Sequence, residues 1–140
     1  MRVMSLKARL SIILSIAMAE KARLFGDELM RAEILNASNS GLAKKLGRSV
    51  ATFDDEQWKE ARWEIVVQGN LHKFRQHEDL LSYLLGTGTR VLVEASPRDH
   101  IWGIGMGASN AHAEQPDAWR GLNLLGFALM EARARLAAAV

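Results

Sequence analysis

Apolar side chains recur near every 3.6 residues from about residue 5 to residue 25, at Leu6, Leu10, Ile13, Ile16 or Ala17, Leu24 and Phe25, which predicts a helix. Gly26 is placed to end it, and Asp27 to cap a second helix over DELMRAEILNA with Leu29, Met30 and Ile34 on its inner side. Asn39 or Ser40 can start a short helix over GLAKKLG. Asp54 opens a long one, DDEQWKEARWEIVVQGNLHKFRQ, with Gln57 as its capping-box partner and Trp58, Ala61, Ile65 and Gly69 along one side. HEDLLSYLLGTG is a further helix with a glycine stop at Gly86. The period then changes. In TRVLVEAS, apolar residues alternate with Arg90 and Glu94, which predicts a strand. SPRDHIWGIGMGASN follows as a turn-rich loop, and DAWRGLNLLGFALMEARARL closes the chain as a helix with Leu122, Leu125, Leu129, Met130 and Leu136 inward. The expected fold is a single domain, mainly α with a small β element.

Composition adds limits. At 140 residues, 49% apolar and 24% charged, the chain suits one soluble core rather than disorder. Its net charge is +2, from 18 bases interleaved with 16 acids, so no basic stripe demands a nucleic-acid backbone. One or two well-placed bases still suffice for a small phosphorylated ligand. There are no cysteines, which excludes disulfides and thiolate chemistry. No apolar run reaches the roughly 18 to 20 residues of a membrane span.

SIILSIAMAEKARLFGD, residues 11–27, admits two readings. One is a secretory signal, with Arg2, Lys7 and Arg9 ahead of an apolar run and Ala17-Met18-Ala19 as a cleavage site, so that residues 1–19 would be lost. The other is an amphipathic helix that carries Glu20 and Lys21 into the folded domain.

The loop after the strand holds the densest candidate chemistry. Glu94, Asp99, His100 and Trp102 fall within nine residues, beside Gly103, Gly105 and Gly107. Glycines let backbone approach a ligand closely, an indole offers a stacking face, and a carboxylate can handle protons. The plainer alternative is a surface turn in which Asp99 caps and Trp102 covers a core edge, and composition alone favours it. GMGASN lacks the Lys-Ser/Thr ending of a phosphate loop, and GIGMG has the wrong spacing for a dinucleotide fingerprint. His72, His77, His100 and His112 show no metal-ligand spacing, and no GxSxG elbow appears. Trp58 and Trp63, five apart, point in different directions, one to the core and one to a pocket. Residue types and spacing go no further than a small helical domain with one pocket.

Five segments in order, AEKARLFGD, LGRSVATFDDEQWKEAR, HKFRQHEDLLSYLLGTG, LVEASPRDHIWGIG and NLLGFALMEARARL, resemble the NADAR family, the YbiA-like N-glycosidases, from about residue 17 to residue 136. The resemblance implies a cytoplasmic N-glycosidase with no cofactor or metal and no membrane association. Its substrate would be a small ribosylated or ADP-ribosylated molecule: ribosylaminopyrimidine phosphates of the riboflavin pathway, or ADP-ribosyl-guanine, which extends to ADP-ribosylated nucleic acid. It further implies that Lys21 in AEKA attacks the anomeric carbon as a Schiff-base nucleophile and that Asp99 is the acid of the family loop. Arg48, Trp58, Trp102 and Gly103 would bind substrate, Arg48 through a phosphate. Lys21, Asp99 and Trp102 are accordingly expected around one concavity. MAEK fits the family, which places residues 18–25 in the domain and favours the helix over the signal. The family's glutamate seven residues before the lysine is replaced by Leu14, and its upstream aromatic region is not recognisable. Residues 1–16 therefore read as an atypical segment ahead of a NADAR-like domain over 17–140, as if the chain began at an internal start. The alternative is an impaired remnant that at most binds ADP-ribose-like ligands.

Overall fold

The computed structural model describes residues 11–140, and the side chains from Ile13 onward. The expected helix over residues 5–10 lies outside the described residues. Among the described residues there are six α-helices: α1 (Ser11–Leu24), α2 (Glu28–Leu35), α3 (Ser40–Gly47), α4 (Asp55–Gln76), α5 (Glu78–Gly86) and α6 (Leu124–Ala138). A short 3₁₀ turn forms at Pro116–Ala118. The described residues divide into two compact units, one up to Gly69 and the other from Asn70 to Val140.

In the first unit, α1 packs against α2 and α3. Ile13, Leu14, Ala17, Met18 and Ala22 are buried along α1, together with Ile34 of α2 and Ala43 of α3. Gly47 brings α3 close: a Cβ there would run into the Met18 side chain. The connections follow the sequence signals. Gly26 ends α1 at φ +73, a conformation that favours glycine. Asp27 caps α2 by accepting the Met30 N–H at 3.1 Å. Asn39 caps α3 through the Leu42 N–H at 2.8 Å, and Asp54 accepts the Gln57 N–H at 2.9 Å ahead of α4. One expectation fails. Leu29 is 84% exposed, because α2 has only eight residues and buries Ile34 alone among them.

Along α4, Trp58 is buried while Ala61, Ile65 and Gly69 are half-buried; the deeper positions are Val66, Val67, Asn70, Leu71 and Phe74. In the second unit α5 packs on α6. The left-handed glycine beyond α5 is Gly88, at φ +61, rather than Gly86, which is the last helical residue. Arg133 of α6 is buried and donates to the Thr87 hydroxyl at 2.8 Å and the Arg90 carbonyl at 2.9 Å, so the cation is spent on fixing this turn.

The strand over TRVLVEAS does not form: among the described residues there is no β element. Residues 90–96 are irregular, and their backbone partners are taken elsewhere. Asn123, fully buried, accepts the Glu94 N–H at 2.9 Å and donates to the Leu92 carbonyl at 3.0 Å. The Glu94 carbonyl accepts the Ile104 N–H at 2.9 Å. Leu92 and Val93, adjacent in sequence, are both buried, so the side-chain alternation does not sort an inner from an outer face. Val93, Ile104, Met106 and Ala113 make a small core here, flanked by Val91 and Trp119.

The last helix is also shorter than expected. Residues 120–123 run along the glycine loop instead: Arg120 N–H reaches the Ile104 carbonyl at 2.8 Å, Leu122 that of His100 at 3.0 Å and Asn123 that of Gly103 at 3.0 Å. A Cβ on Gly121 would collide with the Gly103 carbonyl. Leu122 consequently faces outward, 55% exposed, while Leu125, Leu129 and Leu136 are buried and Met130 is half-buried. No helix among the described residues is long and apolar enough to cross a membrane.

Candidate active site

The first unit brings Lys21, Arg48 and Trp58 into one neighbourhood. Lys21 lies near the end of α1, where the helix buries Ala17, Met18 and Ala22 around it, and only 8% of the residue is exposed. Its Nζ stands 4.3 Å from the centre of the Phe53 ring and 5.5 Å from that of Trp58. Burial lowers the pKa of the amine below its ordinary 10.5; Asp55 opposes this shift by its charge, and Arg48 adds to it. A lysine held among rings, with a second cation in range, is an amine with a reduced preference for the proton. Two bases so placed also suit an anionic ligand.

Phe53, Asp55 and Thr52 were not singled out from the sequence, although all lie inside the quoted segment LGRSVATFDDEQWKEAR. Phe53 is carried by a tight turn. Thr52 adopts φ +57, rare for a β-branched residue, and its hydroxyl donor faces two carbonyls, Phe25 at 2.8 Å and Ala51 at 2.7 Å. The Ala51 N–H donates to the second carboxylate oxygen of Asp27 at 2.8 Å. Phe25 and Phe53 meet edge to face, with centroids 5.4 Å apart. Asp55 begins α4 one turn before Trp58 and pairs with Lys59 at 2.8 Å. The signal that could have found this set is the clustering of Phe53, Asp55 and Trp58 at a helix start.

Asp99, Trp102 and Gly103 form a second cluster, in the other unit. One Asp99 carboxylate oxygen accepts the Ile101 N–H at 3.0 Å and the Trp102 N–H at 2.7 Å. Trp102 is 5% exposed. A Cβ on Gly103 would meet the Glu94 and Asp99 carbonyls at 2.9 and 3.0 Å, so glycine is required for the loop to close on itself. Gly105 is in the left-handed region at φ +72, and a Cβ there would crowd Arg120 and the His100 Nδ1, which lies 2.8 Å from the Arg120 carbonyl. These contacts describe a stiff loop in which Asp99 fixes the turn that carries Trp102.

The chain belongs to the NADAR domain family, whose profile matches residues 11–137. It is 45% identical over 116 residues to an N-glycosidase of Acanthamoeba polyphaga mimivirus, covering 83% of this chain and 68% of that protein. Protein irg-1 of Caenorhabditis elegans is 36% identical over 121 residues, 85% of this chain and 57% of that protein. N-glycosidase YbiA of Escherichia coli is 32% identical over 117 residues, 84% of this chain and 66% of that protein. The NMR structure of YbiA matches the fold with a TM-score of 0.69 at 31% identity, covering 91% of this chain and 67% of that one. The chain thus spans between 57% and 68% of the length of these relatives.

Proposed function

We propose that the chain hydrolyses the N-glycosidic bond of ribosylated compounds, with ribosylaminopyrimidine phosphates or ADP-ribosyl-guanine as the substrate class. The observation that carries this is the Lys21 amine, buried against Phe53 and Trp58 with a lowered pKa, in a chain with relatives named N-glycosidases. A neutral amine is a nucleophile; an ordinary surface lysine is almost wholly protonated near neutral pH. In the proposed reaction the Lys21 nitrogen bonds to the anomeric carbon as the C–N bond to the base breaks. The bond's electron pair goes to the base nitrogen, which takes up a proton, and Lys21 loses one. Ring opening gives an imine, and water then returns the free sugar and the amine. Positive charge develops on the sugar, so a carboxylate favours the transition state. Around Lys21, Trp58 is assigned to stacking and Arg48 to a substrate phosphate; for Asp99 as the acid, and for Trp102 and Gly103 as substrate contacts, the support is the family resemblance alone.

The test is incubation of the chain with each substrate class and chromatography of the released base. Release from neither, by folded protein, would defeat the proposal. One observation supports a second reading, an impaired domain that only binds: Leu14, at the position of the family glutamate, is 4% exposed and part of the α1 core. Binding of ADP-ribose without base release would select it.

Arg48 gives a separate expectation. Arg48→Ala should weaken binding of ribose 5-phosphate by roughly 1.5–3 kcal/mol, the range of a hydrogen bond to a charged group, and leave an unphosphorylated nucleoside unaffected. Calorimetry that finds equal losses for both ligands would rule out the phosphate contact.

A further inference from the structure

The geometry points to Phe53 as a positioning residue for Lys21: the turn that carries it holds its ring over the amine, keeping water off the nitrogen and setting how readily it gives up its proton. This deepens the assignment of Lys21 as the nucleophile and rests on it. Three observations support it. The Lys21 Nζ is nearer to the Phe53 ring, at 4.3 Å, than to Trp58 at 5.5 Å. Phe53 is itself 43% exposed, so it covers the amine from the solvent side rather than filling the core. The turn that presents it is held at three points: the Thr52 hydroxyl by the Phe25 carbonyl, the Ala51 N–H on Asp27, and the edge-to-face contact between the Phe25 and Phe53 rings. A left-handed threonine persists only where its surroundings enforce it, and this one places an aromatic ring over a reactive nitrogen.

The ring acts in two opposed ways. Its face attracts the ammonium and favours the charged form, while its bulk excludes water and favours the neutral one. Asp55 and Arg48 are the charged groups that act on the same amine, one in each direction. Two substitutions separate the effects of the ring. Phe53→Leu keeps the site dry and removes the π face, so the amine should titrate at lower pH than in the wild type. Phe53→Ala also loses the π face but admits water, and because burial is the largest influence on this amine it should titrate at higher pH. The side chain is partly exposed, so neither change empties the core.

The titration is read by NMR after reductive methylation with labelled formaldehyde, the Lys21 signal being the one lost in Lys21→Ala. The expected order of midpoints is Leu below Phe below Ala. Any other order, including three equal midpoints, overturns the role of Phe53. The nucleophile assignment is read independently, by trapping with ribose 5-phosphate and cyanoborohydride near neutral pH. The amine condenses with the sugar aldehyde and releases water, and hydride from the reagent reduces the imine to a stable secondary amine that peptide mass spectrometry locates. Wild-type trapping should concentrate on Lys21 over the exposed Lys45 and Lys59. It should rise about three- to tenfold in Phe53→Leu and fall by a similar factor in Phe53→Ala, the range a cation–π contact of this kind supports. Lys21 trapped no faster than Lys45 in the wild type would remove the nucleophile and leave the titration result standing.

Discussion

Lys21→Ala is expected to abolish base release, by on the order of a thousandfold or more, because among the described residues Lys21 is the amine that stands over the Phe53 and Trp58 rings. The fold should survive, since the substitution removes a desolvated cation from a buried position rather than creating a large void. Lys21→Arg is the stricter control. It preserves positive charge but cannot supply a neutral nitrogen near physiological pH, so it should be equally inactive. Chromatographic assays of both variants beside the wild type decide the matter; activity retained in Lys21→Arg would reduce Lys21 to an anion-binding cation. The pH dependence has a definite sign. Burial lowers the folded-state pKa of Lys21 below 10.5. Activity should therefore rise with pH and level off before the range in which an ordinary lysine loses its proton. For stability, the unfolded state binds the extra proton between the folded-state pKa and 10.5. The burial penalty is accordingly fully present below the folded-state pKa and is relieved as pH climbs toward 10.5.

Asn123→Ala should be among the most destabilising single changes in the second unit, by roughly 4–6 kcal/mol. Two buried hydrogen bonds disappear, each contributing about 1 kcal/mol, and the Glu94 N–H and Leu92 carbonyl are left unpaired, which adds about 1–3 kcal/mol. Asn123 also sits at φ +52, which asparagine tolerates and alanine resists by about 1 kcal/mol. Asn123→Gly separates the two effects: it accepts the backbone angle without replacing the bonds, so it should recover about 1 kcal/mol relative to alanine. Urea unfolding of the three proteins measures both quantities. Equal stability of the alanine variant and the wild type would mean that the 90–96 segment does not depend on this side chain.

The helices and their caps were legible because they are local. Gly26, Asp27, Asn39 and Asp54 act within three or four residues of themselves, and their conformations and bonds follow from residue type. The missing strand was not legible. Arg90 to Ser96 alternates as a strand should, but a strand is defined by its partner, and here the Leu92 and Glu94 backbone groups are met by a side chain 29 to 31 residues away. The late start of α6 has the same origin: residues 120–123 pair with the glycine loop, and no local propensity announces that. Within the site, Lys21, Arg48 and Trp58 came from a family resemblance rather than from periodicity, which placed Trp58 on a helix face without saying what it faces. Phe53 escaped notice because its role depends on a left-handed threonine, and threonine carries no sequence signal for that conformation.

The two oxygens of the Asp27 carboxylate point to different parts of the chain, one to the start of α2 and the other to Ala51, 24 residues on. Everything between is therefore a closed excursion, leaving and returning at a single side chain. Its closing contact fixes where the excursion ends, whatever its length, and lengthening a flexible loop carries only a slowly growing entropic penalty, about 0.6 kcal/mol per doubling. The junction of α2 and α3 at Ala37-Ser38 is thus the place where this fold can absorb an insertion while the Phe53 turn keeps its position. Natural length variation, or an engineered affinity tag, belongs there. A change at Asp27 has the opposite character, since it would unfasten a helix and the site's aromatic turn together.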